Sequence, residues 1–246
     1  MANIPLMYAQ DDCELGGKES MEDDFAYRNN VMNADKEIRL GFVRKVYGLL
    51  SVQLLATIAI ASVFFFVKPV QLFIHENVWM MFLALFLSFG TLIALVVKRR
   101  DSPANLYLLA AFTAVQAYTV GVVVSFYSAA VVLQALVITF TVVAALTAFT
   151  LNSKRDFSFL GYGLVAGLSV LIVGGFLQIF LQSSALELVI AFGGAILFSL
   201  FLIFDTHQMM TILSPEEYIL ATINLYLDII NLFLHILRIL NELNRN

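Results

Sequence analysis

Seven apolar runs, each about twenty residues or slightly longer, follow one another between residues 46 and 240 with short polar breaks between them. They cover about 46–67, 78–97, 104–126, 129–151, 157–181, 185–213 and 215–240. Each is predominantly apolar and about long enough to cross the ~30 Å hydrocarbon layer of a bilayer. Hydrocarbon forces each backbone N–H and C=O to pair inside its own segment, so the runs predict helices. A β-barrel needs alternating strands of ~10 residues, and these runs are twice that long. The expected fold is therefore all-α, a polytopic bundle of seven transmembrane helices. The breaks are Lys68-Pro69 with a loop holding His75 and Glu76, then Lys98-Arg99-Arg100-Asp101, then Asn152-Ser153-Lys154-Arg155-Asp156. Ser214-Pro215-Glu216-Glu217 predicts a helix start, with Ser214 as N-cap, Pro215 in the first turn and Glu217 closing a capping box.

Composition agrees with this. Of 246 residues, 61% are hydrophobic and 13% charged, which excludes an ordinary soluble domain. The net charge of −4 is unevenly spread, with Asp11, Asp12, Glu14, Glu19, Glu22, Asp23 and Asp24 near the start. Residues 1–38 read as an acidic, disordered cytosolic tail, and 39–246 as the transmembrane domain. Basic residues gather only at span ends, so no nucleic-acid partner is expected. Cys13 is the single cysteine, which excludes an internal disulfide and a zinc cluster. No cleaved signal peptide is expected. Arg39, Arg44, Lys45, Lys98, Arg99, Arg100, Lys154 and Arg155 fall on one side of the predicted topology, against Lys68 on the other. The N-terminus is thus expected in the cytosol. Arg238 and Arg245 pull the other way and leave a partial or re-entrant last segment as the alternative.

Two acids lie inside the last two runs, Asp205 and Asp228. A carboxylate at that depth is costly unless compensated. The midpoint of their positions falls in the predicted turn. At ~1.5 Å per residue, Asp228 lies ~20 Å beyond Ser214 and Asp205 ~13 Å before it. The two acids are expected to face each other. No Lys or Arg falls within the middle of any run, so the compensating charge is a shared proton or a metal ion, calcium being suited to oxygen ligands. Asn224, Asp228, Asn231, His235 and Arg238 are spaced by four, three, four and three residues and share one helix face. The stripe lines an ion path, or it is glue satisfied by Gln53, Gln116, Gln134 or threonines of the fourth run.

Glu187 opens the sixth run and either complements the helix dipole or sits at a mouth that attracts cations. Glu216 and Glu217 lie at the opposite turn. His207 reads as a packing or hydrogen-bonding residue near Asp205, and His75 as a loop residue. Gly163, Gly167, Gly174, Gly175, Gly193 and Gly194 suggest close helix packing. No nucleophile grouping, paired metal motif or phosphate loop stands out, so the chain does not read as an enzyme and no cofactor is expected beyond calcium as a permeant ion.

Phe204-Asp205-Thr206-His207, Leu213-Ser214-Pro215-Glu216-Glu217-Tyr218 and the stretch from Asn224 to Leu234, NLYLDIINLFL, resemble the signature of the Bax inhibitor-1 family. This family is also called the transmembrane Bax inhibitor motif or lifeguard family, and the closest resemblance is to its Golgi anti-apoptotic branch. The resemblance covers about residues 38–240. It implies a seven-helix bundle with a pH-dependent calcium leak, in which Asp205 and Asp228 form the pH-sensing pair. It also implies conduction roles for Glu187 and for Glu216 or Glu217, residence in Golgi or endoplasmic-reticulum membranes, and a lowering of stored calcium that restrains apoptosis. Some bacterial relatives set an early-span arginine against the aspartates; this chain has none there. The alternatives are a non-conducting membrane protein that restrains cell death through protein partners, and a proton-coupled transporter.

Overall fold

A computed structural model describes residues 31–34, 36–153 and 155–244. The tail acids, Cys13, Lys154 and Arg245 lie outside the described residues. Among the described residues eight α-helices follow in order: α1 (Lys36–Phe66), α2 (Lys68–Glu76), α3 (Met80–Val97), α4 (Ala104–Val124), α5 (Ala129–Asn152), α6 (Leu160–Leu181), α7 (Ser184–Thr211) and α8 (Tyr218–Asn244). Among the described residues, seven helices are long and apolar enough to cross a membrane: all but the short α2.

The helix ends have local causes. Ser128 and Ser183 are N-caps, accepting from the N–H groups of Val131 and Leu186 at 3.4 and 3.5 Å. Gln182 closes α6 in a left-handed conformation (φ 46°) with its N–H on Gln178 O. The expected loop after the first span is instead the two-turn helix α2. Pro69 lacks an N–H and has a fixed φ, which suits the first turn of a helix, so Lys68-Pro69 ends one helix by starting the next. At the other end, α1 begins ahead of the expected membrane entry. Residues 31–33 form a 3₁₀ turn whose Val31 is buried and whose N–H donates to Leu213 O at 3.0 Å. Val31 is thus tied to the end of α7 although it lies within the stretch read as tail.

The last helix is continuous over 27 residues, ~40 Å at the α-helical rise, which is long enough to cross a bilayer without a break. It is also the centre of the bundle. α7, α5, α1 and α4 pack around it, with α3 on α4 and α6 on α7 outside them. Its Ile219, Ile223, Leu225, Tyr226, Leu232 and Leu237 are almost fully buried. The outward residues of the other helices, such as Phe86, Phe140 and Phe180, are exposed as lipid-facing residues should be.

Candidate functional site

The bundle has a basic end, at the turns 98–103, 153–159 and 212–217, and an opposite end at 67–79, 125–128 and 182–183. Asp205 lies six residues before the end of α7, and Asp228 ten residues into α8, both in the half nearer the basic end. The α7–α8 hairpin brings the two carboxyls into direct hydrogen-bond contact. Asp228 is only 5% exposed and its Oδ2 is buried without a protein partner. Among the described residues neither acid has a cation within ion-pair distance. Two carboxylates in contact and out of water cannot both stay charged without a proton or a cation between them.

The rest of the stripe divides. Asn224 lies one turn from Asp228 toward the basic end and is half-buried. Asn231 donates to its own helix, Nδ2 to Leu227 O at 2.8 Å. The His235 ring stacks on Phe198 at 5.6 Å and 24°, rests on Gly194, and has its Nδ1 buried without a partner. Arg238 is exposed at the opposite end, where the Tyr127 hydroxyl bonds to it and Glu187 and Glu242 stand close by. Burial pushes the Tyr127 phenol upward, and Arg238 opposes that shift. The glue expected from the glutamines is absent. Gln53 donates to Thr113 at 2.8 Å, Gln116 donates to Ser88 at 3.0 Å, and Gln134 is exposed.

The turn before α8 corrects another expectation. Ser214 does cap, but it caps a 3₁₀ turn, Pro215–Glu217, accepting from the Glu216 N–H at 3.4 Å. The Glu217 carboxylate does not close a capping box. It bridges Arg99 and Arg100 at 3.1 and 3.0 Å, where two guanidinium groups outcompete one backbone N–H. Glu216 is exposed. Sequence reasoning missed this clamp and its neighbours: Asn105 Nδ2 donates to the Tyr218 hydroxyl and to Arg99 O, both at 3.1 Å, and the Lys45 ammonium sits 3.4 Å from the centre of the Tyr218 ring. The three consecutive cations facing an acidic turn were the only signal. His207 Nε2 lies 3.7 Å from Asp156, and its ring is edge-on to Phe157. His75 is on α2, stacked on Phe126 at 4.3 Å and bonded to Ser125 at 3.0 Å. No group of three or more His, Cys, Asp or Glu gathers among the described residues. The aspartate pair alone offers a fraction of the six to eight oxygens calcium takes, so a bound ion there would keep much of its water.

These features define a seven-helix membrane protein whose central hairpin holds two acids in contact. The sequence model of the family described as "Inhibitor of apoptosis-promoting Bax1" matches residues 39–246. The chain is 46% identical to mouse "Protein lifeguard 4" over 228 residues, 93% of this chain and 96% of that one. It is 47% identical to the "Golgi anti-apoptotic protein" of vaccinia virus strain Lister over 231 residues, 94% and 98% of the two chains. It is 35% identical to "Bax inhibitor 1" of Schizosaccharomyces pombe over 247 residues, 100% and 92% of the two chains. The chain belongs to the Bax inhibitor, or lifeguard, family.

Proposed function

We propose that this protein restrains apoptosis from an intracellular membrane, in the Golgi or the endoplasmic reticulum, by letting stored calcium leak through a gate worked by Asp205 and Asp228. The anti-apoptotic part follows its relatives, whose names carry that activity and, for one, the Golgi. The gate rests on one observation: two carboxyls in contact, one of them with a buried oxygen that no protein group satisfies, and no protein cation beside them. With one proton between them the pair ties α7 to α8. When that proton leaves, two anions repel inside the hairpin, and a divalent cation becomes the favourable counter-charge. Glu187 and Glu242, with Arg238 among them, would form the mouth at one end, and Glu216 a solvated acid at the other. The basic end faces the cytosol in this proposal, with Arg44, Lys98 and Arg155 on that side. A C-terminal tag is then protected from protease in sealed vesicles, and digestion of the tag without lysis overturns that orientation.

The gate is tested with purified protein in calcium-loaded liposomes across a pH series. Calcium release should rise as the pair loses its proton. In Asp228→Asn, which keeps the shape and removes the second charge, the pH dependence should vanish. Release that is unchanged in Asp228→Asn and Asp205→Asn means the pair is structural. No release at any pH favours a protein that acts through partners instead.

A further inference from the structure

Beside α8, α1 and α5 stand apart and leave a groove with a cavity of about 360 Å³, to which Leu202 of α7 and Val120 and Val124 of α4 also contribute. Leu225, Ile229, Ile230 and Phe233 of α8 form its floor. Its walls run from Tyr47 to Phe66 on α1 and from Ala129 to Thr147 on α5. At the α-helical rise each wall is ~27–28 Å long, close to the full hydrocarbon thickness. The lips are open, with Ile58, Phe66, Leu133 and Phe140 between 46% and 76% exposed.

The groove is chemically apolar even where the sequence is not. Ser51 and Ser62 donate to the carbonyls of Tyr47 and Ile58 at 2.7 Å, and Thr139 donates to that of Ala135 at 2.7 Å. Thr57 is taken by Gln53 O at 2.8 Å and by the Tyr226 hydroxyl at 2.9 Å. No charged side chain lines it. An acyl chain has the right width, length and chemistry, and an unfilled apolar groove forfeits the dispersion contacts of its lining.

The basic end says which lipid. Arg44, Tyr47, Ser51, Ile58 and Ser62 fall on one face of α1 at helical spacing, so Arg44 stands over the groove's entrance. It is exposed, with no acid at ion-pair distance among the described residues. The neighbouring cations are engaged: Lys45 on Tyr218, Lys98 on Asp101, Arg99 and Arg100 on Glu217. Arg155, just past the end of the other wall, is exposed too, while Asp156 beside it accepts from the Ser158 N–H. We propose that the groove between α1 and α5 seats one acyl chain of an anionic phospholipid from the leaflet at the basic end, with Arg44 against the net negative charge of its headgroup. This site is independent of the calcium gate, and its test does not read calcium.

The full chain, purified in detergent with equal phosphatidylserine and phosphatidylcholine of identical chains, is examined by native mass spectrometry. One lipid should stay bound, with phosphatidylserine favoured about fivefold, the weight of one basic residue at an anionic headgroup. Arg44→Gln, at an exposed position, should keep one lipid and bring the preference to about one. Leu136→Trp, which fills the groove, should remove it. Phosphatidylserine with a photoreactive acyl chain should label residues 47–66 and 129–147. The proposal is overturned by a protein that retains no lipid or shows no headgroup preference. It is equally overturned by a preference that survives Arg44→Gln, by labelling elsewhere, or by a retained mass equal to a second copy of the chain.

Discussion

α6 and α8 are both long enough to span a bilayer, and they occupy opposite places in it. In its most apolar stretch 6% of the residues of α6 are buried inside the protein, against 67% in the corresponding stretch of the segment Pro215–Asn244. The buried one is the less hydrophobic of the two. In water the order would be reversed, because hydrophobicity drives a helix inward. In lipid a leucine gains little by leaving acyl chains for protein, so shape and polar groups decide the centre. α8 carries Thr222, Asn224, Tyr226, Asp228, Asn231 and His235, each expensive against lipid. α6 carries glycines and a sheath of Leu, Ile, Val and Phe.

The widest gap expected between the two helices is at their aromatic residues. Tyr226 is fully buried, with its hydroxyl on Thr57 at 2.9 Å and its ring edge-on to Phe112 at 6.2 Å. Tyr226→Ala should cost about 3–5 kcal/mol, as for buried aromatic residues elsewhere. Phe180→Ala on α6, 82% exposed, should stay within about 0.5 kcal/mol. Reversible denaturation in mixed micelles measures both, and equal losses would break the contrast.

Glycine sharpens it at the next scale. The repeated glycines suggested close packing along α6 and α7, and the structure grants that to some of them. A Cβ on Gly194 would run into the His235 ring, and one on Gly167 would meet Leu197 Cδ1 at 2.6 Å, whereas Gly163 and Gly175 face nothing within 4 Å. Gly194→Ala should cost about 1–3 kcal/mol by overpacking. Most of that should return in the double variant Gly194→Ala/His235→Ala. Gly163→Ala and Gly175→Ala should be neutral or stabilising by up to about 1 kcal/mol, because alanine is the better helix former. A Gly194 penalty that persists without the ring would assign the glycine a backbone role instead.

The seven spans were legible because a membrane demands length and apolarity, both written locally. The meeting of Asp205 and Asp228 was legible because a hairpin pairs positions by their distance from its turn, and Ser214-Pro215 marked that turn. What stayed hidden depended on partners distant in sequence. Glu217 had a local use in a capping box and a better one on Arg99 and Arg100, more than a hundred positions away. Gln53 reaches Thr113, not α8, because which face of α1 meets α4 is set by packing. The groove beside α8 was invisible for the same reason, since Ser51 and Ser62 look polar until their hydroxyls are seen bonded to their own helix.

Smaller effects belong to the basic end, where water weakens charge. Glu217 has 13% of its side chain exposed and ties two arginines of the α3–α4 turn to the start of α8. Glu217→Gln should cost up to about 1 kcal/mol. The loss should shrink in high salt and should not add to that of Arg99→Gln, since both variants break one contact. Strict additivity would mean that the bridge contributes nothing.

The smallest effect should be at Asp156, where the outer helix α6 is tethered to the centre. Its carboxyl, fully exposed, is held below the usual carboxylate range, first by hydrogen bonding to Ser158 and less by His207. The folded state therefore favours the ionised acid. Its contribution is complete above the unfolded value of about 3.9 and is lost as pH falls through the lower folded value. Asp156→Asn should leave stability at neutral pH almost unchanged and flatten the acid limb of a melting-temperature series below about pH 4. An acid limb unchanged by Asp156→Asn would mean that the Ser158 bonds do not hold the carboxylate, and that the start of α6 is fixed by the packing of Phe157 against the His207 ring instead.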